Sequence, residues 1–217
     1  MSIRTDMAAE SFSQAGGAEK LQGVKVKNKV IEDARLEVTD ITIETQEAAE
    51  KLGRPVGRYI TLTATDSTFD MYSDSFRERA EVIAKAIGEL CGGCERFLAV
   101  GLGNYALTSD AVGPLTAEKI FATRHIKSLA KEIDTEDLGE VTVIQPGVLG
   151  STGIESSEQV KAIAERVTPQ AVIAVDALAC SELTNLGRTI QLCDTGISPG
   201  SGVENSRKEL SLSTLGV

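Results

Sequence analysis

Two short runs of uninterrupted apolar residues, Phe97-Leu98-Ala99-Val100 and Ala171-Val172-Ile173-Ala174-Val175, constrain the fold more than any other feature of this chain. A strand with one wet face alternates polar and apolar residues. A strand buried on both faces reads as a continuous apolar stretch, the habit of parallel sheets covered by helices. The segments around the two runs agree with that reading. Ser73 to Leu90 puts Phe76, Ala80, Ile83, Ala84, Ile87 and Leu90 on one helical face, with Ser73 or Asp74 as the cap. A long helical segment is expected from about Asp110 to Ile133, a strand at Val141–Ile144, and a helix at Ser156–Val167 stopped by Pro169. A last strand is expected at Thr189–Cys193. This alternation predicts an α/β fold with a mostly parallel sheet and helices on both faces.

The N-terminal part reads differently. Residues 1–20 are polar and rich in Ala, Gly and Ser, and are expected to form a mobile leader. Val24 and Val26, then Leu36, Val38, Ile41 and Ile43, alternate as in one or two strands. Thr45 to Leu52 reads as a short helix ended by Gly53 and Pro55, and Tyr59 to Ala64 as a strand. Residues 21–217 are taken as a single α/β domain. Its final stretch, Ser211 to Val217, resembles the approach to a further strand, so the domain is expected to be cut short at its C-terminus.

Charge and cysteine usage narrow the function classes. The net charge is −10 with the acidic residues scattered, and the basic stretch Lys25-Val26-Lys27-Asn28-Lys29 reads as a solvated strand edge. Direct nucleic-acid binding is therefore not expected. No apolar run approaches the roughly 18 residues of a membrane span, and Met1 to Asp6 is not a signal peptide, so the default setting is cytoplasmic. Cys91-Gly92-Gly93-Cys94 has redox or zinc spacing, but it closes a helix rather than opening one, and Cys180 and Cys193 supply no second pair. No metal site is expected.

In open α/β sheets, sites form beyond the carboxyl ends of the strands. Asp176 ends the run Ala171–Val175, and Asp110 lies ten residues past the end of the run Phe97–Val100. If those strands are neighbours, both carboxylates can face one crevice. Two close carboxylates hold a shared proton, because like charges a few ångströms apart do not both ionise cheaply. Taken singly, each residue has a plainer reading, Asp110 as a helix cap and Asp176 as an ordinary strand-end residue. Asp194-Thr195-Gly196 carries the triplet of pepsin-like proteases, but those are all-β. The stretch Asp194 to Gly202 reads instead as a tight loop whose glycines allow a close backbone approach. Gly101-Leu102-Gly103 is an incomplete nucleotide-binding fingerprint, since residue 106 is Ala, and the single histidine, His125, reads as a mid-helix residue.

Four longer stretches resemble the germination protease family of spore-forming bacteria. They are Gly101-Leu102-Gly103-Asn104 with Thr108-Ser109-Asp110-Ala111-Val112-Gly113-Pro114, then Gln145 to Glu155, then Val175 to Ala179, and last Asp194 to Val203, with Arg207 to Leu210 continuing the match. The resemblance implies a phosphorylase/hydrolase-like α/β fold similar to that of hydrogenase maturation endopeptidases. It also implies an atypical aspartic endopeptidase that needs no cofactor, with Asp110 and Asp176 as the essential pair. Gly103, Asn104, Gly147, Asp194, Gly196 and Gly200 fall in the loops expected around the site. The implied partners are small acid-soluble spore proteins, the implied assembly a homotetramer, and the implied location the forespore and spore core. Family members are made as zymogens, and Thr5-Asp6-Met7-Ala8-Ala9-Glu10 fits the cleavage pattern, which places self-processing between Asp6 and Met7. Two alternatives stand beside this: a nickel-reading endopeptidase of the hydrogenase-maturation type, and a non-catalytic binding protein on the same fold.

Overall fold

The computed structural model describes residues 5–16, 21–129, 134–136, 138–198 and 209–217. It divides into two compact units, one formed by residues 1–92 with 178–195, the other by residues 93–177 with 196–217.

In the first unit, α1 (Ala8–Gln14), β1 (Val24–Ile31), β2 (Leu36–Ile43), α2 (Gln46–Leu52), β3 (Gly57–Ala64) and α3 (Phe76–Cys91) precede β7 (Thr189–Cys193). The four strands form an antiparallel sheet in the order β1-β2-β3-β7, with Val24 opposite Ile43, Leu36 opposite Ala64 and Tyr59 opposite Cys193. The apolar alternation of β2 changes phase between Val38 and Ile41, and both faces of the sheet are covered. Leu36 and Val38 pack with Ile60, Leu62, Ala64 and the α3 residue Ala86. Ile41 and Ile43 pack on the opposite face with Ala8 of α1 and Ala48, Ala49 and Leu52 of α2. The change of parity lets the two halves of β2 feed opposite faces of the sheet. Helix α2 is bounded as its sequence suggests, Thr45 Oγ1 accepting from Ala48 N–H and Gly53 closing it in the left-handed region at φ 62°.

A buried arginine ties the first unit together. Arg79 of α3 is only 2% exposed. Its Nε donates to Ala34 O at 3.0 Å, its Nη1 to Thr68 O at 3.2 Å, and its Nη2 pairs with Asp66, while the guanidinium lies 5.5 Å from the Phe69 ring centre. Asp66 also receives Arg35, and these two cations, Arg35 foremost, hold its carboxyl well below the usual range.

In the second unit, β4 (Arg96–Gly101), α4 (Val112–Lys119), α5 (Arg124–Leu129), β5 (Glu140–Ile144), α6 (Leu149–Thr152), α7 (Ser156–Val167), β6 (Ala171–Val175) and α8 (Leu212–Leu215) follow in order. Three strands form a parallel sheet, β5-β4-β6. Val160 and Ala164 of α7 bury against Leu98, Val100 and Leu102, joined by Leu210.

The α/β character is as expected, but four features depart from the sequence reading. The parallel sheet holds only three strands, because β7 pairs with β3 in the antiparallel sheet. The long helix expected from Asp110 is broken into α4 and α5, and the 130–133 part of that expectation lies outside the described residues. Thr123 causes the break: its N–H donates to Val141 O, its Oγ1 accepts from Val141 N–H at 2.8 Å, and its hydroxyl donates to Gly139 O at 2.5 Å. Ser211 to Val217 makes no strand but the short helix α8, set by a capping box between Ser211 and Thr214. Helix α3 starts at Phe76 rather than at Ser73, with Ser75 as its cap and no side-chain cap bond.

Within the leader, Met7, Ala8 and Glu10 are buried at 2%, 3% and 6% exposure, and α1 packs in the core of the first unit. Residues 1–4 and 17–20 lie outside the described residues. Among the described residues no helix is long and apolar enough to cross a membrane.

Removing the guanidinium of Arg79 leaves two carbonyls and part of Asp66 unanswered in the interior. Arg79→Met should cost about 3–5 kcal/mol, read by chemical denaturation. Burial by itself would raise the Glu10 carboxyl, but hydrogen bonds from Ser181, Thr5 and Asn185 outweigh it and hold it at about 2 instead of 4.5. A group lowered on folding stabilises the folded form above its unfolded value and loses that contribution as pH falls. The attachment of α1 should therefore be intact above pH 4.5 and loosen as pH falls toward about 2, seen as loss of protection at the Ser181 amide.

Candidate active site

Parallel strands all end at the same edge, and three loops leave that edge of the β5-β4-β6 sheet: residues 102–111 after β4, residues 145–148 after β5, and Asp176 after β6. Gly101 is opposite Val175, and Leu102 N–H donates to Val175 O at 2.9 Å, carrying the β4–β6 pairing one residue further.

Helix α4 sits unusually close to that edge. A Cβ on Gly113 would lie 2.1 Å from Leu102 O and 2.5 Å from Val175 O; a Cβ on Gly101 would lie 2.3 Å from Gly113 O. Neither position has room for a side chain, and the atoms in the way are backbone and the Ala117 Cβ, none of which can swing aside. A glycine in the first turn of a helix is unfavourable by propensity, and here its reason is contact. It is the one feature of the site that the sequence reading passed over, and the signal was present in Gly113-Pro114 at a helix start.

The loop between β4 and α4 folds on itself. Asn104 N–H donates to Asp110 O and to Asp110 Oδ2, both at 2.9 Å, Leu107 N–H donates to Asn104 O, and Asp110 N–H donates to Leu107 O. Gly103 has φ +112°, and a Cβ there would meet Asp110 O at 2.1 Å. Asp110 ends a 3₁₀ turn (Thr108–Asp110), and the cap of α4 is Ala111, with no side-chain cap bond. Its carboxylate is thus turned back to the glycine loop instead of capping the helix. Asp176, half-buried, follows Val175 directly and accepts from Ala177 N–H at 2.9 Å through Oδ1.

The structure brings Asp110, Asp176, Gly103, Asn104 and Gly147 to one edge of one sheet. Gly147, at φ +72°, follows β5, and its carbonyl accepts from the Ser156 hydroxyl at 2.9 Å, which links this loop to the start of α7. Gly196, at φ +81°, lies in the same unit, where a Cβ would lie 2.1 Å from Leu210 O.

Asp194 belongs to the antiparallel unit, where its Oδ1 accepts from Arg58 N–H at 2.8 Å and holds the start of β3, beside Gly57. Asp6 and Met7 also belong to that unit. Gly200 lies outside the described residues. His125 is in the first turn of α5, and among the described residues no cluster of three or more His, Cys, Asp or Glu side chains could hold a metal ion. Cys91 ends α3 as expected, with Gly92 and Gly93 both at positive φ before β4.

Gly113→Ala should destabilise the protein by roughly 3 kcal/mol, because the new methyl meets backbone on two strands. Gly88→Ala in α3, where a Cβ meets nothing within 4 Å, should stabilise by about 0.5–1 kcal/mol. Thermal denaturation of the two variants checks the contrast.

A sequence model described as germination protease matches residues 3–217. The germination protease of Clostridium tetani is 39% identical over 223 residues, covering 100% of this chain and 68% of that protein. That of Clostridium perfringens is 37% identical over 220 residues, covering 99% and 67%. That of Oceanobacillus iheyensis is 39% identical over 217 residues, covering 98% and 58%.

Proposed function

The chain belongs to the germination protease family, and on that footing we propose that Asp110 and Asp176 form the catalytic pair of an aspartic-type endopeptidase. Membership makes it a hydrolase of peptide bonds that acts in spore germination. The observation that carries the finer reading is the shared edge: Asp110 and Asp176 extend from loops of two adjoining parallel strands, with α4 drawn onto both strand ends through Gly101 and Gly113.

In this reading the pair holds one proton. The ionised carboxylate takes a proton from a water as it attacks the scissile carbonyl, and the protonated one donates to the carbonyl oxygen. The C–N bond then breaks, and the leaving nitrogen takes up the proton that the base received from water. Asn104 holds Asp110 in place by donating its backbone N–H to the Asp110 side chain. Gly103, at positive φ and with the Asp110 carbonyl where a Cβ would stand, lets the loop close on Asp110.

The substrates proposed are small acid-soluble spore proteins, cut after acidic residues in the forespore and spore core without a cofactor. The chain is proposed to be made as a zymogen that cuts itself between Asp6 and Met7, and to act as a homotetramer.

The test uses full-length protein and an acid-soluble spore protein. Wild type should cut after Glu or Asp and be indifferent to a chelator, while Asp110→Asn and Asp176→Asn each lose at least about a thousandfold in rate. Retained cutting by either variant would remove that residue from the pair, and loss of activity with chelator would point to the nickel-dependent alternative.

A further inference from the structure

The peptide bond between Asp6 and Met7 is hydrogen-bonded at both its carbonyl and its amide. Its carbonyl, Asp6 O, accepts from Gln191 Nε2 at 3.2 Å, and its amide, Met7 N–H, donates to Thr5 Oγ1 at 3.0 Å. The same Gln191 side chain accepts Ala8 N–H through Oε1 at 2.6 Å, so one amide group clamps the chain before and after the bond, as a neighbouring strand would. Upstream, Asp6 N–H donates to Ala179 O at 2.8 Å and Arg54 Nη2 donates to Thr5 O at 2.6 Å. Met7, at 2% exposure, is one of the most buried side chains among the described residues.

Downstream the hold is electrostatic. The Glu10 carboxylate, 6% exposed, accepts Ser181 N–H at 2.9 Å, the Ser181 hydroxyl at 2.5 Å, Asn185 Nδ2 at 2.7 Å and Glu182 N–H at 3.4 Å. A buried carboxylate with this many donors is expensive to withdraw, because leaving strands both it and the donors. Glu10 lies one turn along α1, so releasing Met7 without unwinding or unseating α1 is not possible.

A protease takes its substrate as an extended chain with the scissile carbonyl accessible. Here that carbonyl is bonded, the following side chain is in the core, and the next residues are helical. We propose that the Gln191 clamp and the Glu10 seat form a latch that shields the Asp6–Met7 bond, so that α1 must leave its place before any proteolytic centre can cut there. Cleavage of a natively shielded bond follows the opening equilibrium when reclosing is fast. The observed rate is then the rate of hydrolysis in the open form multiplied by the fraction of time the latch is open. The consequence for zymogen processing rests on the proposed function; the shielding does not.

The experiment keeps the two apart by using an exogenous protease that cuts after acidic residues, with amide hydrogen exchange on the full chain. In wild type the Asp6–Met7 bond should be cut far more slowly than in a synthetic peptide spanning residues 1–16. Glu10→Gln and Gln191→Leu should each raise both the cutting rate at that bond and exchange at the Asp6, Ala8 and Ser181 amides by roughly tenfold to a hundredfold, while amides of α3 keep their protection. Cutting of wild type at the rate of the peptide would overturn the proposal even if neither variant folds, as would folded variants that leave both rates unchanged. If the bond proves shielded but the chain's own processing begins at another residue, the cleavage-site reading falls and the latch stands.

Discussion

The close approach of α4 to the carboxyl ends of β4 and β6 fixes where the two aspartates stand. Both surfaces at that contact are glycine, Gly101 on the strand and Gly113 on the helix, and the backbone carbonyls of Leu102 and Val175 occupy the space a methyl group would need. Widening this contact would swing the start of α4, and with it Asp110, three residues upstream, away from the end of β6 that carries Asp176. Reacting groups must be held to fractions of an ångström, and backbone packed on backbone does this more firmly than side-chain packing. Asn104 supplies the second restraint, by gripping both the backbone and the carboxylate of Asp110.

The antiparallel unit follows a different logic. Its sheet is covered on both faces, and one of those faces is completed by the N-terminal segment, with Met7 and Ala8 in the core and Glu10 fully answered by donors from residues 181–185. A segment that contributes to a core is retained until its contacts are given up together. This distinguishes it from a leader that merely trails from the surface, and it makes the N-terminus part of the folding energetics of its unit.

Much of this was legible in the chain. The apolar runs marked β4 and β6 as parallel strands, although β6 is half-buried along its whole length where full burial was expected, and the rule that sites gather at carboxyl ends pointed to Asp110 and Asp176 as candidates. Sequence could not reveal that β7 leaves the parallel sheet, because Thr189 to Cys193 is a five-residue strand whose composition is compatible with either partner. The break between α4 and α5 was hidden because helical periodicity continues through it; the deciding bonds run from Thr123 to Gly139 and Val141, far along the chain. The two-sided burial of β2 was visible as a change of phase between Val38 and Ile41, but read as a single alternation. The burial of α1 was not legible because Ala, Gly and Ser dominate the leader, and composition does not register one glutamate with four donors. Polar Gln191 between apolar Ile190 and Leu192 was the corresponding clue on the other side.

The central claim is that Asp110 and Asp176 act as one unit, and it is tested most directly by a double-variant cycle on peptide-bond cleavage. Rates for Asp110→Asn, Asp176→Asn and the combined variant would be measured on the same spore-protein substrate with the full-length chain. Residues that share one proton and one water fail together, so the account predicts that the double variant is no slower than either single variant. Losses that multiply in the double variant would mean that the two aspartates contribute independently, and would contradict a catalytic pair.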